Sequence, residues 1–404
     1  SSDLTQFFRT LHDQQNHFTG QERGEHQAEA FAALVLLPLN EEQVTRYLRG
    51  ALPGMDPQQL FAVISSVHNL KELSQRPYTL KLVADFLPEI EQDRQRGAVV
   101  YGVTLYRRMA QRWLERDAGK HHIRPEHKMR LAAHLAAHLW KNGSGSGLLP
   151  ADKIESWFHA WMESEPDLRR RYANLHPDQL EEDLRTATFL ARQDGEGGSV
   201  FRFAHTSLLE FFLAEYLLQA VQNNTSERWD MPRPSDETID FLGQMLAEAN
   251  DPVLVRTLQR WCTTYQSRIS ELFLAYSLLA HKKNWPMPIL RGVDMSGADL
   301  HDWVFAGTSE KPLDLSGADF SQTNLRRVVF EQARLGNCLF RGAQLTQANF
   351  LHCQALGADW QESDCTAAIW RASSLTDGQW RHAQGKSPQF LLCKDIPTAD
   401  SGRS

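Results

Sequence analysis

What the 404-residue chain lacks narrows it first. No run of about 18 apolar residues occurs, so no helix of ordinary length can span a membrane. The first 28 residues scatter Leu4, Phe7, Phe8, Leu11 and Phe18 among polar ones, without the continuous apolar core of a secretory signal. No G-x-x-x-x-G-K-[ST] loop is present to cradle phosphates, and no apolar strand ends in paired acids. The chain is therefore expected not to be an enzyme, and no catalytic residue is assigned. Five scattered cysteines (Cys262, Cys338, Cys353, Cys365, Cys393) have neither metal spacing nor a disulfide framework, which fits a reducing cytoplasm. Positive charge is not in excess: 43 Lys+Arg against 50 Asp+Glu give −7, which argues against a general nucleic-acid binder. The chain begins SSDLTQFF, without methionine, and reads as a fragment or a trimmed chain.

What is present falls into two halves with different periods, at a length that suits two or three domains. Residues 29–283 carry mostly helical apolar spacing, at 41–52 after the N-cap candidate Asn40, then in MDPQQLFAVISSV, PYTLKLVADFLPEI, VTLYRRMAQRWLERD, 127–143 and 151–162. Three further helices are expected near 236–249, 252–262 and 265–283. Two β signals interrupt: the apolar run 32–39, and a hairpin over 187–205 around a DGEGG turn. Helices followed by a hairpin and another helix make a winged-helix shape. That last helix, in FRFAHTSLLEFFLAEYLL (201–218), is apolar nearly all round, and Ser207 with Glu210 reads as a capping box that starts it. His205 then lies just ahead of a helix N-terminus, where free N–H groups and the dipole favour an anion. It either touches a phosphate or is a buried polar residue with a backbone partner.

After NWPMP (284–288) the period becomes five. Every fifth residue from Leu290 to Trp380 is bulky or sulfur-bearing at all but two of nineteen positions, Glu310 and Ala355. Two residues earlier the chain is often alanine, as at Ala298, Ala318, Ala333, Ala343, Ala348, Ala358 and Ala368. Such a repeat decides the fold. A coil with four five-residue sides points bulky and small residues inward together, and stacked coils share one core. Residues 290–380 resemble the pentapeptide-repeat family, which implies a right-handed quadrilateral β-helix of about four to five coils. TSEKP around Glu310 reads as a loop that preserves the frame. QFLLC (389–393) is expected to cap the last coil, with a disordered tail after Lys394.

Several stretches of the helical half, in order, resemble the carboxy-terminal part of a NACHT-type STAND NTPase. AALVLLPLNEEQVTRYLRG is similar to the last strand of the nucleotide-binding core running into the first helical domain. LSQRPYTLKLVADFLP is similar to that domain's n-P-f-x-L signature, and VYGVTLYRRMAQRWLERD to the first winged-helix segment. Phe203, His205, Ser207, Glu210, Phe211 and Ala214 match F-x-H-x-S-x-x-E-[FY]-x-x-A. The resemblance implies that His205 binds the β-phosphate of ADP in a closed resting state and that Pro77 packs by the adenine. For Pro77 a plain proline in the first turn of a helix needs no ligand. The implied domains are a core remnant or linker (1–40), a helical domain (41–98), a winged-helix domain (99–222), a helical linker (223–289), the solenoid (290–380), and a cap and tail (381–404). The implied partners are an upstream nucleotide-binding core carrying ADP or ATP, a protein ligand at the solenoid, and further copies on activation. Neither membrane nor nucleic acid is expected as a partner, and the implied role is signalling in bacterial antiviral defence.

Other clusters have plainer readings. His127, His134 and His138 lie on one helix at zinc-like spacing, but nothing completes a ligand set, so no metal site is assigned. Arg169, Arg170 and Arg171 read as a solvated helix face. Residues 290–380 hold 11 Asp+Glu against 7 Lys+Arg, with Arg326, Arg327, Arg334 and Arg341 close in sequence, an acidic excess too small for good DNA mimicry toward a topoisomerase. The alternative to the switch is a non-enzymatic scaffold with a helical adaptor and a solenoid arm.

Overall fold

The computed structural model describes residues 38–66, 70–97, 99–116, 119, 122–142, 149–175, 179, 183, 189–195 and 198–394. Residues 32–37 of the expected apolar run 32–39, the Gly/Ser-rich stretch 143–148 and the tail after Lys394 lie outside the described residues.

Local chemistry sets the helix ends. Asn40 accepts from the Gln43 N–H while the Gln43 side chain accepts from the Asn40 N–H, a reciprocal cap that starts α1 (Glu41–Ala51). Asp56 caps α2 (Pro57–Ser65) ahead of a first-turn proline. There follow α3 (Leu70–Ser74), α4 (Pro77–Gln95), α5 (Gly102–Arg116) and α6 (Pro125–Asn142). Next come a short strand β1 (Leu149–Pro150), α7 (Ala151–Glu163) and α8 (Pro166–Arg171). The hairpin forms as expected, β2 (Leu190–Gly195) against β3 (Gly198–Phe203), and β1 joins it in the order β1-β3-β2, a small three-stranded wing beside the helices.

The helix after the wing, α9 (Thr206–Asn223), is the hub, because its apolar surface is buried on nearly every side. Phe211 stacks on Tyr106 of α5, and both rings meet Phe241 edge-on. Phe212 packs on Phe189 and Phe203 at the base of the wing. Its start corrects the sequence reading: the cap is His205, whose Nδ1 accepts from the Ser207 N–H at 3.1 Å. Ser207 is buried in the first turn, and Glu210 accepts from Ser235 instead of closing a capping box.

The last helices are α10 (Asp236–Ala249), α11 (Pro252–Trp261) and α12 (Ile269–Lys283). All three lie where expected, although α12 starts four residues late. Residues 223–289 face both ways. α10 packs on α9, and Gly243 leaves room for Trp285 of the junction, which a Cβ would meet at 2.4 Å. Tyr265 N–H donates to Asp294, and Lys311 donates to the His281 carbonyl and to Asn284, so this segment closes the first coil of the solenoid.

The solenoid runs from Leu290 to Lys394. Its first face is a five-stranded parallel sheet of β4 (Val304–Ala306), β6 (Val329–Glu331), β8 (Asn349–Leu351), β9 (Ile369–Arg371) and β10 (Gln389–Leu391). A second face carries β5 (Leu313–Asp314) and β7 (Ala333–Arg334). Val304 pairs with Val329, twenty-five residues on, whereas Val329 pairs with Asn349, twenty on. The five extra residues are the loop around Glu310, which leaves the frame intact. One expectation changes: QFLLC does not cap the coil but contains the fifth rung. β10 pairs with β9, and Phe390 stacks 4.9 Å from Trp370.

Candidate functional site

Two places in the chain could carry function. The first is a corner of the helical half. Leu39 N–H donates to the Gln75 carbonyl at 2.7 Å, so the chain entering from residue 38 is tied to the segment just before α4. One residue further, the Arg76 guanidinium lies 3.4 Å from the Ala204 carbonyl, just before α9. Pro77 and His205, 128 residues apart, are thus each one residue from this contact. Pro77 is the exposed first residue of α4, where its missing N–H costs nothing. His205 is half-buried, and its Nδ1 accepts from Ser207, so the ring proton is assigned to Nε2. The sequence reading missed Arg76. Its only signal was a basic residue immediately ahead of the Pro77 motif.

The histidines of α6 point elsewhere. His127 Nδ1 lies 2.5 Å from the Tyr172 hydroxyl, and His138 Nδ1 lies 3.0 Å from the Asn142 amide. His134 packs against Trp161 and Tyr216, and burial, helped by Arg228 and Arg130, pushes it down to about 3. Its Nε2 stands 3.4 Å from Glu165, but at that value the imidazole is neutral and the contact is no ion pair near neutral pH. Arg169, Arg170 and Arg171 are exposed, as a solvated face should be.

The second place is the solenoid surface. Inside, aromatic and aliphatic sides alternate around the coil. Phe305, Phe330, Phe350, Trp370 and Phe390 stack in one column at 4.6–5.1 Å. Phe320, Phe340, Trp360 and Trp380 stack in the opposite one. Leu300, Leu325, Leu345 and Cys365 fill a column between them. Small polar residues at the crowded inner position bond the preceding coil: Cys338 Sγ donates to the Leu315 carbonyl, Cys353 Sγ to that of Phe330, and Ser373 Oγ to that of Phe350. Burial pushes both thiols up to about 12, so they are packing groups, not nucleophiles.

Outside, the coil spreads residues that are close in sequence. Arg326 and Arg327 share one face, with Arg327 bound to both carboxylate oxygens of Asp302, while Arg334 and Arg341 lie on two others. The sheet face formed by β4, β6, β8, β9 and β10 differs from the rest: its outward residues include Val304, Val329, Leu351, Ile369 and Leu391. A groove of about 940 Å³ opens where this face meets α12.

A family model for pentapeptide repeats, in 8 copies, matches residues 314–350 and 323–359. Residues 290–394 form a pentapeptide-repeat domain. Such a stacked-coil domain is a protein-interaction module, whose long side faces present outward residues on every rung. Solved structures similar to this pentapeptide-repeat domain include HetL, a pentapeptide repeat protein involved in heterocyst differentiation regulation from the cyanobacterium Nostoc, at 19% identity over 26% of this chain and 47% of HetL, with a TM-score of 0.15. QnrB1, a plasmid-mediated fluoroquinolone resistance protein, is similar at 18% identity over 25% of this chain and 68% of QnrB1, with a TM-score of 0.14. A pentapeptide repeat protein of the Arabidopsis thaliana thylakoid lumen is similar at 24% identity over 26% and 72%, with a TM-score of 0.10. The chain thus spans about half the length of HetL. Likenesses of this size say nothing of what the present chain binds. No curated protein matches the chain. Among the described residues no helix is long and apolar enough to cross a membrane.

Proposed function

We propose that the chain is the regulatory and sensor portion of a STAND NTPase switch. In this reading an upstream core holds ADP or ATP, and catalysis lies with that core. The helical and winged-helix parts clamp the nucleotide at rest. The pentapeptide-repeat domain senses a protein ligand, whose engagement frees the clamp and lets copies assemble, in bacterial antiviral defence.

The observation that supports this reading is the meeting of Leu39 with Gln75 and of Arg76 with Ala204. It joins the chain arriving from upstream, the segment before Pro77 and the segment before His205. The corner suits an anion for three reasons. The N-terminus of α9 carries a partial positive charge. The His205 tautomer has its proton on Nε2, the polarity needed to donate to a phosphate oxygen. Arg76 adds a full charge beside it. Bound ADP would supply the bridge between the core and this corner, with His205 and Arg76 toward phosphate and Pro77 toward the base.

The test is made on a longer protein with a P-loop upstream of Ser1. The parent is expected to retain ADP through purification, and His205→Ala is expected to lose it and to assemble without ligand. Unchanged retention and assembly would remove the phosphate role of His205. Absence of an upstream P-loop would remove the nucleotide reading and leave an interaction scaffold.

A further inference from the structure

We propose that the sheet face of the solenoid is an interface between two copies of this chain, packed face to face and antiparallel. The inference is independent of any nucleotide. It begins with the outward residues of the five rungs: Val304 and Ala306 on β4, Val329 and Glu331 on β6, Asn349 and Leu351 on β8, Ile369 and Arg371 on β9, Gln389 and Leu391 on β10. Glu331 and Arg371 are exposed, and neither forms an ion pair among the described residues.

This pattern is complementary to itself. A two-fold axis along the central strand β8 sets β6 against the second copy's β9, and β4 against its β10. Glu331 then faces Arg371 of the partner subunit, and the reverse pair forms by symmetry. Val329 faces Ile369 of the partner subunit, and Leu351 meets its own copy on the axis. Size matches as well as charge. Small Ala306 and Gly307 face Leu391 of the partner subunit and Leu392 of the partner subunit. In the single chain Leu392 is 88% exposed, beside the last rung. The groove beside β4, walled by Leu278, Leu279 and Trp303, is where these two leucines would seat. One end of the face thus supplies the apolar plug and the other end supplies the socket.

The occupant is argued from this self-complementarity, since a face built for an unrelated protein has no reason to carry opposite charges at equal distances from its centre. Five rungs at ~4.8 Å span roughly 20 Å, so the flat face alone is smaller than the ~800 Å² per partner of a standard interface. The groove contact enlarges it, and the expected dimer is weak, of about micromolar affinity or weaker.

Sedimentation velocity of the full 404-residue chain over a concentration series tests the proposal. The chain is expected to move from monomer to dimer. Glu331→Arg or Arg371→Glu alone should each raise the dissociation constant about tenfold, because both pairs become repulsive. The two together should restore it to within about threefold, the coupling that only a facing pair gives. Leu392→Asp should weaken the dimer at least about tenfold through the socket. These are exposed positions, and an unchanged circular dichroism spectrum will show that each variant folds. A monomer at every concentration reached would overturn the proposal and assign the face to a different protein. A dimer indifferent to these substitutions, or a double swap that restores nothing, would overturn it equally.

Discussion

In residues 290–394 each inward-facing aromatic ring stacks on the ring twenty or twenty-five residues away, again and again. In residues 41–283 Tyr106 meets Phe211 and Phe241 across gaps of more than a hundred residues, and no such contact recurs. The solenoid is held by many nearly equivalent neighbour contacts, so its stability is close to a sum over coils. The helical half depends on a few long-range contacts that occur once. Arg107 is the chief polar one: it bonds Glu215 at 3.0 Å and also Glu248, tying α5 to α9 and α10. Burial pushes the Glu215 carboxyl up against the pull of Arg107, so part of that pair's attraction goes into offsetting desolvation. Damage should therefore stay local in one half and spread in the other.

The sharpest test removes one ring from each half. Trp360→Ala should cost about 3–5 kcal/mol, and amide exchange should rise in the coils beside it while the helical half keeps its protection. Phe211→Ala should cost a similar ~3–5 kcal/mol, but should loosen α5, α9 and α10 together. Equal spreading in both halves would break the comparison. Next, Arg107→Leu leaves the mostly buried Glu215 without its Arg107 partner, and should cost about 3 kcal/mol by denaturant titration. No single charge in the solenoid should match it, because exposed pairs such as Asp302 with Arg327 are worth little.

Acid should separate the halves as well. His134 is held down to about 3 from an ordinary 6.5, so the unfolded chain binds its proton first. Its contribution is complete above pH 6.5 and is lost as pH falls toward 3, at up to about 1.4 kcal/mol per unit. In the solenoid the Asp364 carboxyl is held below its ordinary 3.8, chiefly by the Thr366 hydroxyl, so its contribution is lost only below that value. Between pH 6.5 and 4 the helical half should therefore weaken while the solenoid does not, and His134→Gln should flatten the slope. Amide exchange at pH 7 and pH 5 reads both halves at once. The smallest effect tests the turns: Ala372 holds φ 49°, and Ala372→Gly should gain up to about 1 kcal/mol in thermal melting.

Legibility in the sequence followed the same divide. A spacing of five is a local property, and it located the inward residues, the frame-preserving loop and the crowded small positions. It misplaced the C-terminal limit, because Gly385 interrupts the bulky pattern before Phe390 resumes it. Helical spacing located α1, α2 and α10 closely for the same local reason. Ser207 and Glu210 misled because their spacing suits a capping box, yet Glu210 accepts from Ser235, the N-cap of α10. Arg76 carried almost no signal, since its role rests on a carbonyl 128 residues away.

The sequence by itself determined which residues face inward, because periodicity fixes side-chain direction within a coil or a helix. Only the tertiary structure decided which outward residues share a surface. A twenty-residue coil, lengthened once by five, sets Val304, Val329, Asn349, Ile369 and Gln389 in one column. It sends Arg326, Arg334 and Arg341 to three different faces. The meeting of Leu39, Arg76 and Ala204 has the same origin, for it depends on how whole helices pack, and no local pattern encodes that.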